Sequence, residues 1–124
     1  MRFFFRKHNR ISGNETFRRI MKDGRCVCTG TLTVFLLPNS LECNRLGVSV
    51  GRKFGKAYVR NRYKRLVREA FRLNNQLLAE NSDVVVLMHK KFSARGFDYR
   101  KVSFESVEKS LRYAFTREGN KHKA

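Results

Sequence analysis

The sequence predicts a single α+β domain built on a mixed sheet. Three observations carry that prediction. At 124 residues the chain has room for one domain, and its 41% hydrophobic residues supply one modest core. Helical periodicity and strand-like runs alternate without a linker, a repeat or a low-complexity tract to divide them. A strand, a long helix and another strand follow one another in the middle of the chain, an order that implies parallel pairing across the helix. The domain is expected to span 1–124, with flexible basic tails at 1–10 and 117–124.

The first helix is predicted over about 13–23. Ser12-Gly13-Asn14-Glu15 has the capping-box pattern, in which Ser12 accepts from the amide of residue 15 and Glu15 reaches back. Phe17, Ile20 and Met21 follow at helical spacing, and Gly24 suits the stop. Val27 to Leu37 is rich in Thr, Val, Leu and Phe, which predicts one strand, broken or twisted at Gly30. Pro38-Asn39-Ser40 is a turn. Leu46 to Gly51 alternates as a second strand, antiparallel to the first, and Gly47 and Gly51 leave bare backbone on one face for a bulge or a close ligand.

A strong helix is predicted from Ala57 to Leu78. At about 100° per residue, Val59, Tyr63, Leu66, Ala70, Leu73 and Leu77 form an apolar stripe. Arg60, Asn61, Lys64, Arg65, Arg68 and Arg72 fall opposite, with Arg62 flanking them. Asp83 to Met88 is a Val-rich run of the kind found in buried strands. Ser103 is placed to cap a last helix with Phe104, Val107, Leu111 and Ala114 on one face, and the chain turns polar from Arg117.

The charge points to a polyanion. Lys and Arg number 28 against 10 Asp and Glu, a formal net charge of +18. Self-repulsion of that size works against compaction, and small domains rarely need a net charge above about 8 for solubility. Nucleic acid is the first candidate partner and an anionic membrane surface the second. The charge concentrates at Arg52, Lys53, Lys56, Arg60, Arg62, Lys64, Arg65, Arg68 and Arg72, against the single acid Glu69. Like charges at i,i+4 oppose one another in a bare helix, and phosphates seated between them relieve the cost. The planar fork of arginine suits that role. A membrane-surface helix would want Trp or Phe at its polar–apolar boundary, and the apolar stripe here is better explained by packing on the strands around it.

Self-sufficient catalysis is not indicated. His8, His89 and His122 are scattered, and no zincin, Walker or dinucleotide-binding pattern occurs. Cys26, Cys28 and Cys43 are odd in number and form no zinc pattern, so they read as buried free thiols of a reducing cytosol. The first residues hold too few apolar side chains for a signal peptide, and the longest later apolar run is far short of a membrane span. The expectation is a cytoplasmic protein with no membrane contact.

Lys53, Gly55 and the run Arg60-Asn61-Arg62-x-Lys64-Arg65-x-x-Arg68-Glu69 resemble the signature of the bacterial ribonuclease P protein subunit. The resemblance extends to Asn14-Glu15-x-Phe17, Gly47-x-Ser49-Val50 and Ser110-Leu111, and covers about residues 7 to 116. It implies a compact single-domain sandwich whose strand–helix–strand crossover is left-handed. It further implies a protein that binds a large catalytic RNA, the pair removing the 5′ leader from precursor tRNA, with Mg²⁺ bound mainly by the RNA. No obligate protein partner is evident.

Residue by residue, the resemblance assigns catalytic-RNA contacts to Arg52, Lys53, Lys56, Arg60, Asn61, Arg62, Lys64, Arg65 and Arg68. It assigns a leader-binding cleft to Phe17, Met21, Phe35 and Lys53. Taken alone, Phe17 and Phe35 read first as plain core, and the resemblance reverses that reading. Four positions depart from the pattern: Met21 replaces an aromatic, Gly51 replaces Ser, Arg52 replaces Lys with the charge kept, and His89 replaces Arg. Two rival classes stand beside this one. A ribosomal or chaperone-type RNA-binding protein would lack an enzyme partner, and a protein nuclease would need an acidic metal cluster.

Overall fold

The computed structural model describes residues 10–11, 13–29, 32–52, 55–88 and 102–121, the side chains of 117–121 excepted. Lys53, His8, His89, residues 1–9 of the first predicted tail and 122–124 of the last lie outside the described residues. Helix α1 spans Asn14–Asp23. Its N-cap is Gly13, at φ 93°, with no side-chain cap bond. The helix thus starts one residue later than the capping box implies, and Ser12 is outside the described residues. Gly24 ends the helix as expected, its N–H donating to the Ile20 carbonyl at 2.8 Å. A Cβ there would lie 2.5 Å from the Ile20 oxygen and 3.0 Å from that of Leu36, so only glycine lets the chain turn this tightly into the sheet.

The single broken strand expected over Val27–Leu37 is a hairpin. Strand β1, Arg25–Cys28, pairs antiparallel with β2, Leu32–Pro38, setting Cys26 against Phe35 and Val27 against Val34. The turn is closed by Thr29, which donates its N–H to the Leu32 carbonyl and accepts the Leu32 N–H on Oγ1 at 2.9 Å. Strand β3, Arg45–Ser49, runs opposite to β2 as predicted but is not its neighbour. Strand β4, Ser82–Met88, lies between them, antiparallel to β2 and parallel to β3, in the order β1-β2-β4-β3. The Val-rich β4 is buried along its length, and only a central position covers both faces of such a strand.

The parallel pair is bridged by helix α2, Ala57–Asn74, continued by a 3-10 turn at Asn75–Leu77. Its buried residues are Tyr63, Val67, Ala70, Phe71 and Asn74, a stripe rotated from the predicted one; Val59, Leu66, Leu73 and Leu77 are half-buried at its margin. The rotation follows from α2 packing on α3 as well as on the sheet. Helix α3, Phe104–Lys121, runs past the expected end at Arg117. Ser103 caps it as predicted, its Oγ accepting the Ser106 N–H at 3.2 Å. Phe71 and Phe115 meet edge to face with centroids 6.3 Å apart, and Asn74 donates to Glu108 of α3 at 2.9 Å.

The pleat sorts the sheet's side chains into two cores. Leu32, Val34, Leu36, Leu46, Val84, Val86 and Met88 face α2 and α3. Val85 faces the other way, where Ile11 and Ile20 are buried with it and Phe17, Met21, Phe35, Leu37 and Leu87 are half-buried. So α1 covers one face and α2 with α3 cover the other.

One acid is buried beneath α1. Asp83, 1% exposed, accepts two bonds from Arg45 at 2.7 and 2.6 Å and one from Asn39 at 2.9 Å, with Arg19 of α1 at 3.9 Å. Burial alone would raise its pKa; the Arg45 and Asn39 bonds and the Arg45 and Arg19 charges outweigh burial and lower it. A lowered folded pKa means stability that is present above the ordinary carboxylate range, near pH 4, and lost as pH falls through the folded value. We expect Asp83→Asn to cost about 1–3 kcal/mol at pH 7. Thermal melts at pH 7 and below pH 4 should show the wild type losing more stability on acidification than the variant. Equal losses would mean that Asp83 does not carry the acid sensitivity.

Candidate nucleic-acid interface

Gly55, at φ 131°, takes a left-handed conformation that lets the chain swing from the exposed turn at Arg52 into α2. Lys56 caps α2 without a side-chain bond, and no acid lies in the first turn. The positive end of the helix dipole is therefore left uncompensated beside Lys56. Along the helix, Asn61, Arg62 and Arg65 are exposed, and Arg60, Lys64 and Arg68 are half-buried at the edge.

These side chains do not all point one way. At about 100° per residue, Arg60 and Arg62 diverge by about 160° around the axis. Arg60 turns back to donate to the Gly55 carbonyl at 3.1 Å, and Arg62 leans toward α3, donating to the Val102 carbonyl at 3.4 Å. Asn61, Lys64 and Arg65 have no bonded partner among the described residues. Arg68 is half-buried, and burial first, then the charge of Arg10, lowers its pKa. Arg72 is held by Glu69 at 3.0 Å. Free cationic capacity thus lies in the first two and a half turns of α2. Tyr58, which sequence reasoning passed over, stands among these groups and is 73% exposed. Its position on the polar side of the helical wheel was the available signal.

The predicted cleft residues meet on the opposite face of the sheet. Phe17, Met21 and Phe35 join one apolar cluster under α1. Beside it runs a groove of about 330 Å³ between α1 and β3, lined by Asn14, Phe17, Arg18, Met21, Val48 and Ser49. Phe35 lies behind that lining, packed into the cluster. The bare backbone expected at Gly47 has an occupant: a Cβ there would lie 2.5 Å from Cζ of Phe17. Glycine at this position lets the ring tip rest on the β3 backbone and keeps α1 close to the sheet. The expectation of buried cysteines fails for Cys26 and Cys28, which are exposed, while Cys43 is half-buried. Both exposed thiols project from the short edge strand β1 on the α1 side of the sheet, where α1 does not cover them.

Comparison with known proteins places this geometry. The Ribonuclease P family model matches residues 5–118. The ribonuclease P protein component of Natranaerobius thermophilus is 42% identical over 97 residues, which are 78% of this chain and 83% of that protein. That of Thermotoga maritima is 36% identical over 107 residues, 86% of this chain and 89% of that protein. A solved RNase P protein from Thermotoga maritima superposes with a TM-score of 0.75 at 35% identity, covering 87% of this chain and 96% of that one. The Staphylococcus aureus RNase P protein superposes with a TM-score of 0.72 at 27% identity, covering 89% and 94%.

The Phe17–Gly47 contact generates a prediction. Gly47→Ala should force the ring off β3 and cost about 1–3 kcal/mol, as overpacking does. Combining it with Phe17→Leu should recover part of that loss in thermal melts, giving a non-additive cycle. Strict additivity would show that the two residues do not touch.

Proposed function

The chain belongs to the ribonuclease P protein family, and on that premise we propose that its two surfaces hold two different RNAs. It is a protein component of the enzyme that processes the 5′ end of tRNA. In this reading the outward side of α2 binds phosphates of the catalytic RNA through Arg60, Arg62, Lys64, Arg65 and Arg68, and Arg52, Lys53, Lys56 and Asn61 add RNA contacts, Lys53 to the leader as well. The groove beside Phe17 and Met21, backed by Phe35, takes the single-stranded leader of precursor tRNA. The observation that carries the reading is the separation of the two: α1 with its apolar groove and α2 with its cations cover opposite faces of one sheet. One protein can then dock on a folded RNA and still leave a channel open for a flexible strand.

The protein's part is binding and orientation. An arginine fork grips phosphate without reading sequence, and an aromatic face stacks on any base, so both surfaces suit substrates of many sequences. Mg²⁺ would supply charge stabilisation for the phosphodiester. Among the described residues no group of three or more His, Cys, Asp or Glu comes together, and the buried acid Asp83 is already engaged by Arg45 and Asn39. In this reading the metal is bound mainly by the RNA, and no step is drawn through a metal held by this chain. Among the described residues no helix is long and apolar enough to cross a membrane. A cytoplasmic location fits the reaction proposed.

Reconstitution tests the proposal. Protein freed of RNA should leave precursor tRNA intact, and adding transcribed ribonuclease P RNA with Mg²⁺ should release the leader. Cleavage by the protein alone would overturn the assignment. If five basic side chains of α2 neutralise phosphates, log K for the RNA subunit should fall against log salt with a slope of roughly −3.5 to −4.5. Arg65→Ala should make that slope shallower by about one. On the other face, Phe17→Leu keeps apolar bulk over Gly47 and removes the flat ring. It should weaken precursor tRNA binding to the reconstituted enzyme about tenfold, and leave mature tRNA binding unchanged. Equal loss for both tRNAs would return Phe17 to a purely structural role.

A further inference from the structure

We propose that Tyr58 is a stacking platform for an unpaired base of the RNA subunit, an inference that rests on α2 facing that RNA. Three large apolar side chains are exposed among the described residues, Leu41, Tyr58 and Tyr113, and Tyr58 is the most exposed. It lies far from the buried stripe of Tyr63, Val67, Ala70, Phe71 and Asn74, so no packing demand places an aromatic ring there. It makes no hydrogen bond or ion pair among the described residues.

Its surroundings select the ligand. Asn61, Arg62 and Arg65 follow at i+3, i+4 and i+7 and share its outward arc. At about 1.5 Å rise per residue, Arg62 and Arg65 stand about 6 and 10 Å further along the axis. A ring framed in this way offers a flat apolar surface with cations beside it to hold the flanking phosphates. No acid lies in the first turn to repel them, and Glu69, two turns on, is held by Arg72. An apolar protein partner would leave these cations unpaired, so charge complementarity favours a polyanion. Paired RNA hides the faces of its bases within the stack, so the occupant is an unpaired base. Its source is the RNA subunit and not the leader, because the leader groove lies across the sheet under α1.

The chain contains no Trp, so Tyr58→Trp places a single indole at the site in the full-length protein. Affinity for the RNA subunit, measured by filter binding across a salt series, should fall about tenfold for Y58A. Y58L, which keeps apolar bulk and helix propensity, should lose a similar amount. Both should keep the wild-type salt slope, since no phosphate contact is removed, and Y58F and Y58W should bind like wild type. Emission from Y58W should be quenched by the RNA subunit and unaffected by a leader oligonucleotide. Wild-type affinity in both Y58A and Y58L would overturn the proposal while leaving the function of α2 intact. So would a shallower slope, or quenching by the leader oligonucleotide alone. Failure of the wild-type protein itself to bind the RNA subunit would remove the parent reading, and this one with it.

Discussion

Burial of one strand on both faces organises this molecule. Ser82–Met88 runs between β2 and β3, and its alternate side chains enter separate cores: Val84, Val86 and Met88 on one side, Val85 on the other. A strand with apolar side chains on both faces needs a helical layer on each. That requirement places α1 on one face and α2 with α3 on the other, and it divides the surface as a result. The outer side of α2 and the groove beside α1 cannot merge, because the sheet stands between them.

The same arrangement decides where charge is tolerated. With a net charge of +18, the fold must keep cations apart or give them partners. On the α1 side it gives them Asp83, which gathers Arg45 and Arg19 at the start of the central strand. On α2 it pairs Arg72 with Glu69 and turns Arg60 and Arg62 to opposite flanks, each onto a backbone carbonyl. Among the described residues Lys64 and Arg65 receive neither an acid nor a carbonyl. Arg68 is half-buried, and burial lowers its pKa.

Features that depend on neighbours in sequence were legible before the structure. The Ser103 cap, the Gly24 stop and the amphipathic character of α2 rest on contacts within one or two turns, and each is present. The parallel pairing of β3 with β4 across α2 was legible too, but the insertion of β4 between β2 and β3 was not. Leu32–Pro38 and Arg45–Ser49 alternate in similar fashion, and alternation tells which face a side chain takes, not which strand lies beside it. The hairpin at Thr29 was hidden because Gly30 suits a kink and a turn equally. The α2 stripe was read off-centre because one helix packing on two elements buries an arc centred on neither. Of the candidate site, the basic residues were plain from composition. The seat of Phe17 on Gly47 needed the register of β3 against β4, which no local pattern carries.

The strand order also sets a timetable for biosynthesis. The β1–β2 hairpin can pair as soon as it is made, but β2 and β3 have open inner edges until Ser82–Met88 emerges between them. By then α2 is complete, with its core-facing stripe uncovered and its cations free. A half-made chain therefore presents two unpaired edges and a cationic amphipathic helix to a ribosome built largely of RNA. The nascent chain, more than the finished protein, is the state at risk of aggregation and of adventitious RNA contact. Arrival of the valine-rich strand closes the two edges, and α3 then covers the rest of the α2 stripe.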